Sequence, residues 1–125
     1  MDTGIKYYVS TKYHKLHPSE LPRYATLVRK KMNNLPANYS VDLINRGIES
    51  ELILKKMLSD YKLAYANYAL AKDIDNFLSL TRERDKILNF LDNVADLVNS
   101  ISDGDPEIIR SYGLYPKKLK ENYAL

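Results

Sequence analysis

The chain has 125 residues, of which 28% are charged, and a formal net charge of +3. This length suits one domain that buries about two-thirds of its unfolded surface. Cysteine is absent, which excludes disulfides, thiolate catalysis and zinc–thiolate sites. No apolar run approaches the roughly 18 residues of a membrane span, and the first residues contain no apolar secretory segment. We therefore expect no membrane contact, and a protein that is cytoplasmic or assembled into a virion.

Basic charge is concentrated towards the ends of the chain. Residues 1–40 carry seven Lys and Arg against two acidic residues, whereas residues 41–104 carry eight against eleven. Such asymmetry suits contact with a polyanion. It equally allows the basic end of one copy to contact the acidic middle of another. The sign of the charge therefore does not choose between a nucleic acid and a protein partner.

Residues 1–17 are predicted to form an extended arm. Ile5, Tyr7 and Val9 alternate with more polar neighbours, which is the period of a half-buried strand. Because so short a strand is not stable alone, it needs a partner. We expect the arm to lie along the bundle or to pair with a segment of another chain.

A first helix is predicted from Ser19, a favourable N-cap, to the segment before Pro36. Pro22 fits its first turn, where the missing N–H has no intrahelical partner. Apolar residues then recur at steps of three and four and predict one buried stripe. These residues are Leu21, Tyr24 or Ala25, Val28, Met32 and Leu35.

A helical hairpin is predicted for most of the remaining chain, because the 56 residues from Ile48 to Asp103 contain no glycine or proline. Its first helix is expected to begin at Ser40 and to bury Ile44, Ile48 and Leu52. The bend is placed within residues 72–79, where Asp73, Asp75 and Asn76 cluster and Asn76 suits a left-handed helix end. The alternative is one rod of about 84 Å.

The last helix of the hairpin has the clearest pattern, and further helix caps follow it. Ile87, Leu91, Val94, Val98 and Ile101 recur at steps of four and three. Gly104, Asp105 and Pro106 then form a C-cap, an N-cap and a first helical position, so a short helix is predicted over residues 106–112. A basic tail follows Gly113.

The predicted fold class is therefore all-α. It is a long antiparallel helical hairpin plus an N-terminal helix and a short C-terminal helix, with extended arms at both ends. The predicted divisions are an N-terminal arm (1–17), a helical bundle domain (18–113) and a basic C-terminal tail (114–125).

The last third of the chain carries five short motifs in order, followed by the basic residue Lys117. They are Arg84-Asp85, Val98-Asn99, Gly104-Asp105, Ile108-Ile109 and Ser111-Tyr112-Gly113. In this order they resemble a family of small bacterial helical-bundle proteins of uncharacterised role, some of which occur beside or fused to fibronectin type III domains. The resemblance implies a helical hairpin with a packing helix and no known enzymatic activity. It transfers no functional residues.

Candidate catalytic and metal sites are weak. His14 and His17 could present two nitrogens to a metal, but metal sites need three or four ligands, so solvent-facing histidines are favoured. Asp92 and Asp96 flank the apolar stripe and could act in acid–base chemistry, although a solvated helix face is favoured. No phosphate-binding loop, nucleophile elbow or zinc-protease motif occurs. We expect no enzyme, no cofactor, and no catalytic or metal-binding residue.

The basic, tyrosine-rich ends are the candidate interaction site, because cations interleaved with rings suit protein contacts or single-stranded nucleic acid. The predicted function is a non-enzymatic structural or interaction protein, a subunit of a larger assembly such as a bacteriophage virion. Its expected partners are other protein chains, as a homo-oligomer or larger assembly, because the hairpin is apolar on more than one face. The alternative is a nucleic-acid-binding module. The candidate residues are Lys6, Tyr7, Tyr8, Lys12, Tyr13, Lys15, Arg29, Lys30, Lys117 and Lys118.

Overall fold

A long helical hairpin dominates the structure and confirms the predicted all-α class. The computed structural model describes residues 5–118, without the side chains of residues 37 and 40; residues 1–4 of the predicted arm and 119–125 of the predicted tail lie outside the described residues. The helices are α1 (Leu21–Lys31), α2 (Ser40–Asn45), α3 (Glu51–Leu70), α4 (Ile74–Ser102) and α5 (Pro106–Ser111). Two short strands are β1 (Tyr7–Val9) and β2 (Pro116–Lys118), and 3-10 turns occupy Lys12–Lys15, Met32–Asn34 and Ala37–Tyr39.

The bend of the hairpin lies at residues 71–73, a segment that begins one residue before the predicted window of residues 72–79 and overlaps its start. Asp73 caps α4 by accepting a 2.8 Å hydrogen bond from the backbone N–H of Asn76. The left-handed role predicted for Asn76 is wrong, because Asn76 lies in the first turn of α4. Its side-chain amide instead donates a 2.8 Å hydrogen bond to the carbonyl of Ala71 and so closes the bend.

The first arm of the hairpin is broken where the sequence predicted one helix from Ser40. Gly47 has φ +70°, a left-handed conformation that ends α2 and that residues with a Cβ rarely adopt. Helix α3 then starts afresh, with the Ser50 hydroxyl accepting from the backbone N–H of Ile53. Of the three residues predicted to be buried early in this helix, Ile48 is buried whereas Ile44 and Leu52 are each 78% exposed.

Helix α1 begins near its predicted position without the predicted cap. Glu20 occupies the N-cap position and makes no side-chain capping bond. The Ser19 hydroxyl lies 2.8 Å from His17 Nδ1 instead. The apolar stripe is confirmed, with Leu21, Ala25 and other predicted members buried against the hairpin.

The core occupies one half of the hairpin. On α4 the buried residues start at Ile87, and on α3 they stop at Ala64. No residue from 65 to 86 is buried. On α4, Leu80 is the first residue that packs against the core, so residues 74–79 extend beyond it over roughly 9 Å at 1.5 Å per residue. Helices α1 and α5 and strand β1 pack around the half of the hairpin that holds the core.

The two ends of the described chain pair with each other. Strand β1 runs antiparallel to β2, with Tyr7 opposite Lys118 and Val9 opposite Pro116. The partner of the N-terminal strand is therefore the C-terminal segment of the same chain. Val9 is only 1% exposed, so the strand also covers the core.

Candidate interaction surfaces

Strands β1 and β2 bring most of the predicted site residues into one basic ribbon. The ribbon comprises residues 6–8, 12 and 115–118, with four lysines and no acidic residue. Lys117 Nζ lies 6.0 Å from the centre of the Tyr8 ring, within the range of a cation–π contact. Tyr115 is 67% exposed beside Lys12 and Lys117. The ribbon therefore combines one exposed ring, Tyr115, and two half-buried rings, Tyr7 and Tyr8, with cations. One of these cations, Lys6, pairs with Asp103 at 3.5 Å.

The backbone of this segment is fixed to the body of the protein. The N–H of Val9 donates a 2.8 Å hydrogen bond to Asn99 Oδ1 on α4, and the N–H of Tyr7 donates a 3.1 Å bond to the carbonyl of Gly104. The Arg84 guanidinium donates to the carbonyl of His14 at 2.6 Å. Residues 7–14 thus form a covering layer on α4, with side chains available to partners only on their outer side.

Tyr13 is a predicted site residue that the structure places in the core. It is 4% exposed, and its hydroxyl donates a 2.6 Å hydrogen bond to Asp92 Oδ1. Burial raises the pKa of Tyr13 above its ordinary value, and the hydrogen bond to Asp92 raises it further. His14 Nε2 lies 2.8 Å from the same carboxylate oxygen. Tyr13 therefore holds the N-terminal segment on α4 and offers nothing to an external partner.

Three tyrosine rings stack from this point towards the surface. Tyr13 and Tyr24 have centroids 6.1 Å apart, and Tyr24 and Tyr115 have centroids 6.3 Å apart with planes 5° from parallel. Burial raises the pKa of Tyr24 to about 12, and its buried hydroxyl has no hydrogen-bond partner in the described part of the chain. The stack therefore connects three parts of the protein: Tyr115 in the basic ribbon, Tyr24 on α1, and Tyr13, which is bonded to α4.

The two predicted residues of α1 are separate from the ribbon. The Arg29 side chain donates a 2.9 Å hydrogen bond to the carbonyl of Glu49 and a 3.1 Å bond to Asn33, so it supports the turn before α3. Lys30 is exposed and lines a groove between α1 and α3. The ten predicted residues thus belong to more than one surface.

Apolar residues on the outer side of α3 form a surface that the sequence analysis did not single out. Leu52, Leu63 and Leu70 are 78%, 63% and 87% exposed. They fall on the positions 52, 56, 59, 63, 66 and 70, whose alternating steps of four and three define a heptad seam. The opposite side of the helix buries Leu54, Leu58, Tyr61 and Ala64. The spacing of these leucines in the sequence could have revealed the seam. Because α3 has apolar residues on two sides, however, its sequence does not show which side packs against the rest of the protein.

A second uncovered apolar patch lies at the start of α4. Ile74, Phe77 and Leu78 are 66%, 48% and 52% exposed. The Phe77 ring contacts Tyr68 across the hairpin, with centroids 5.9 Å apart. The two helices therefore contact each other near the bend through partly exposed side chains, and apolar surface there stays uncovered.

Within residues 5–118, no group of three or more His, Asp or Glu is placed to hold a metal ion. No helix in the same range combines the length and apolar character needed to cross a bilayer. His14 and His17 have separate contacts, with Asp92 and with Ser19 respectively.

Comparisons with protein-family models, curated proteins and solved structures found no match to this chain. The resemblance of its last third to a bacterial helical-bundle family therefore stays a prediction.

Proposed function

We propose that this protein is a non-enzymatic interaction protein that works as a subunit of a larger assembly, and that copies of it associate through the outer seam of α3. The observation that carries this proposal is the exposure of Leu52, Leu63 and Leu70 on one side of a regular helix. Large exposed apolar surfaces on soluble proteins usually mark interaction sites.

The order of residues along the seam favours a second copy as the occupant. An antiparallel partner related by a two-fold axis near residue 61 places Leu52 opposite Leu70 of the other copy, residue 56 opposite residue 66, and residue 59 opposite residue 63. The inner pairs are Lys56 with Ala66 and Ser59 with Leu63. Each combines a long side chain with a small one, which suits close packing in an isologous interface.

The length of the seam also suits a dimer. The three exposed leucines recur on one side of α3 over 18 residues, which is roughly 27 Å of helix at 1.5 Å per residue. The separate patch of Ile74, Phe77 and Leu78 provides each copy with a second apolar surface. Two such surfaces are what growth beyond a dimer requires, as in the virion that we predicted from the sequence.

Light scattering during size-exclusion chromatography tests this proposal. The wild-type chain should elute as a dimer or larger species, and Leu63→Glu should be monomeric, because it removes a leucine from the seam and brings two like charges together near the two-fold axis. Asn89→Glu is the matched control, since Asn89 is exposed on α4 and this substitution adds the same negative charge outside the seam. Circular dichroism should show equal helicity for all three. A wild-type chain that stays monomeric at high concentration would contradict the proposal.

Binding of single-stranded nucleic acid is a second candidate, because the structure joins the two basic ends into the ribbon. Lys117 lies opposite Tyr8 and Lys118 opposite Tyr7 across the β1–β2 pair, and rings beside cations suit stacked bases and phosphates. Binding of an oligothymidylate should weaken steeply as salt rises. Lys117→Gln/Lys118→Gln should reduce it, while Lys72→Gln/Arg82→Gln should not. Absence of binding at low salt would dismiss this candidate.

A further inference from the structure

A groove between α1 and α3 is separate from both surfaces described above. Two cavities, of about 430 Å³ and about 350 Å³, adjoin there and share the side chains of Thr26 and Lys30. The first also contacts Arg23 and Lys62, and the second also contacts Lys55. The groove therefore runs along two turns of each helix.

Five cations line this groove. The Arg29 guanidinium already donates to the carbonyl of Glu49 and to Asn33. The other four are exposed and form no salt bridge within residues 5–118; they are Arg23, Lys30, Lys55 and Lys62. One carboxylate, Glu51, lies at the far end of the groove, where it accepts a hydrogen bond from the Asn33 side-chain amide. The groove thus presents a net positive potential suited to a ligand with several negative charges.

The floor of the groove is apolar. Pro22, Leu54 and Leu58 are buried beneath it, and Leu27 is 46% exposed at its edge. No aromatic ring lines either of these two cavities, so the groove lacks the stacking platforms that hold unpaired bases. An apolar floor between charged rims is instead the usual receptor for an amphipathic helix.

The spacing of the cations matches such a helix. Arg23 and Lys30 are seven residues apart on α1, and Lys55 and Lys62 are seven residues apart on α3. Two turns correspond to about 10.5 Å along each helix. Arg23 and Lys62 both line the first cavity, and Lys30 and Lys55 both line the second. Acidic residues at positions i and i+7 on both flanks of an apolar stripe would meet all four cations.

From this geometry we infer that the α1–α3 groove binds an acidic amphipathic helix of a partner protein. The apolar stripe of that helix packs mainly on Leu27, which is 46% exposed, and its carboxylates pair with Arg23, Lys30, Lys55 and Lys62. The inference is independent of the self-association seam, because Leu52, Leu63 and Leu70 do not line either cavity.

A labelled helical peptide provides the test. The probe has a leucine stripe with two glutamates on each flank, seven residues apart, and its binding is followed by fluorescence anisotropy. Binding in the micromolar range is expected, and Arg23→Gln/Lys62→Gln should weaken it about tenfold, since each rim ion pair contributes modestly. The control Arg82→Gln/Lys72→Gln removes the same charge from exposed positions outside the groove and should leave binding unchanged.

Two further probes separate the ligand classes. A peptide of the same composition with its glutamates four residues apart should bind at least several-fold more weakly. An oligothymidylate should show no loss of affinity with Arg23→Gln/Lys62→Gln. The inference is overturned if the first peptide does not bind, if both peptides bind equally, or if the groove variant lowers oligothymidylate affinity instead.

Discussion

The Tyr13 hydroxyl donates a 2.6 Å hydrogen bond to Asp92 Oδ1 and joins two residues that are 79 positions apart in sequence. This contact fixes the N-terminal segment on α4. The neighbouring ring of Tyr24 stacks on Tyr13, yet its own buried hydroxyl has no hydrogen-bond partner among the described residues. Both hydroxyl groups are buried, but only that of Tyr13 has a hydrogen-bond partner among the described residues. The same substitution can therefore be compared at the two positions.

Replacing each of these tyrosines by phenylalanine should have opposite effects on stability. Tyr13→Phe removes a hydrogen bond to a carboxylate and should lower the free energy of unfolding by about 1–2 kcal/mol. Tyr24→Phe removes a buried, unpaired hydroxyl and should leave stability unchanged or raise it by up to about 1 kcal/mol. Urea denaturation followed by circular dichroism measures both values. Equal losses in the two variants would show that the hydrogen bond to Asp92 is not what distinguishes them.

Alkaline pH should destabilise the fold. Burial raises the pKa of Tyr13 above the ordinary value of 10.0 and the pKa of Tyr24 to about 12. Above about pH 10 the unfolded chain releases tyrosine protons that the native state retains, so the unfolded state binds fewer protons and the free energy of unfolding falls as pH rises. The contribution of Tyr24 is fully present below pH 10 and is lost as pH rises to about 12.

Urea midpoints measured from about pH 9 to about pH 11.5 should therefore decrease steadily. Tyr24→Phe should show a shallower decrease, because that variant lacks one of the groups whose pKa is raised. A midpoint that is constant or rising over this range would refute the expected linkage between tyrosine burial and stability.

Two leucines on the hairpin should differ sharply in their tolerance of charge. Leu91 is 0% exposed, whereas Leu63 is 63% exposed. Leu91→Asp should unfold the domain, because an unpaired buried charge costs several kcal/mol against a total stability of roughly 5–15 kcal/mol. Leu63→Asp should retain the helical circular dichroism spectrum. A folded Leu91→Asp protein would show that the part of α4 around Leu91 does not pack in a core against α3.

The hairpin could be predicted from sequence because its causes are local. A long stretch without glycine or proline, a repeated apolar spacing around Leu91 and a capping aspartate at position 73 all act within a few turns of helix. The pairing of Tyr7 with Lys118 could not be predicted, because alternation identifies a strand but not its partner across more than 100 residues.

The composition of the interaction surfaces could not be predicted either, because it depends on which distant segments pack together. The seven-residue spacing of Arg23 and Lys30 is visible in the sequence, but the placement of Lys62 beside the same cavity as Arg23 follows only from how α1 packs on α3. Tyr13 was included among the candidate contact residues because exposed and buried tyrosines have the same local pattern. Its burial depends on Asp92, which is supplied by a distant helix.

The start of α3 provides a test of the break that the sequence analysis missed. The Ser50 hydroxyl accepts a 3.3 Å hydrogen bond from the backbone N–H of Ile53 and caps the helix after the left-handed turn at Gly47. Ser50→Ala should lower the free energy of unfolding by about 1 kcal/mol, because it leaves an N-terminal N–H of α3 without its partner. Asn67→Ala, at an exposed position inside the same helix and outside the outer seam, should be neutral or slightly stabilising, since alanine has the higher helix propensity. Urea denaturation compares the two variants. If α3 instead continued from α2 as one helix through residues 46–50, Ser50 would be an interior position as well, and both substitutions would then have the same small effect.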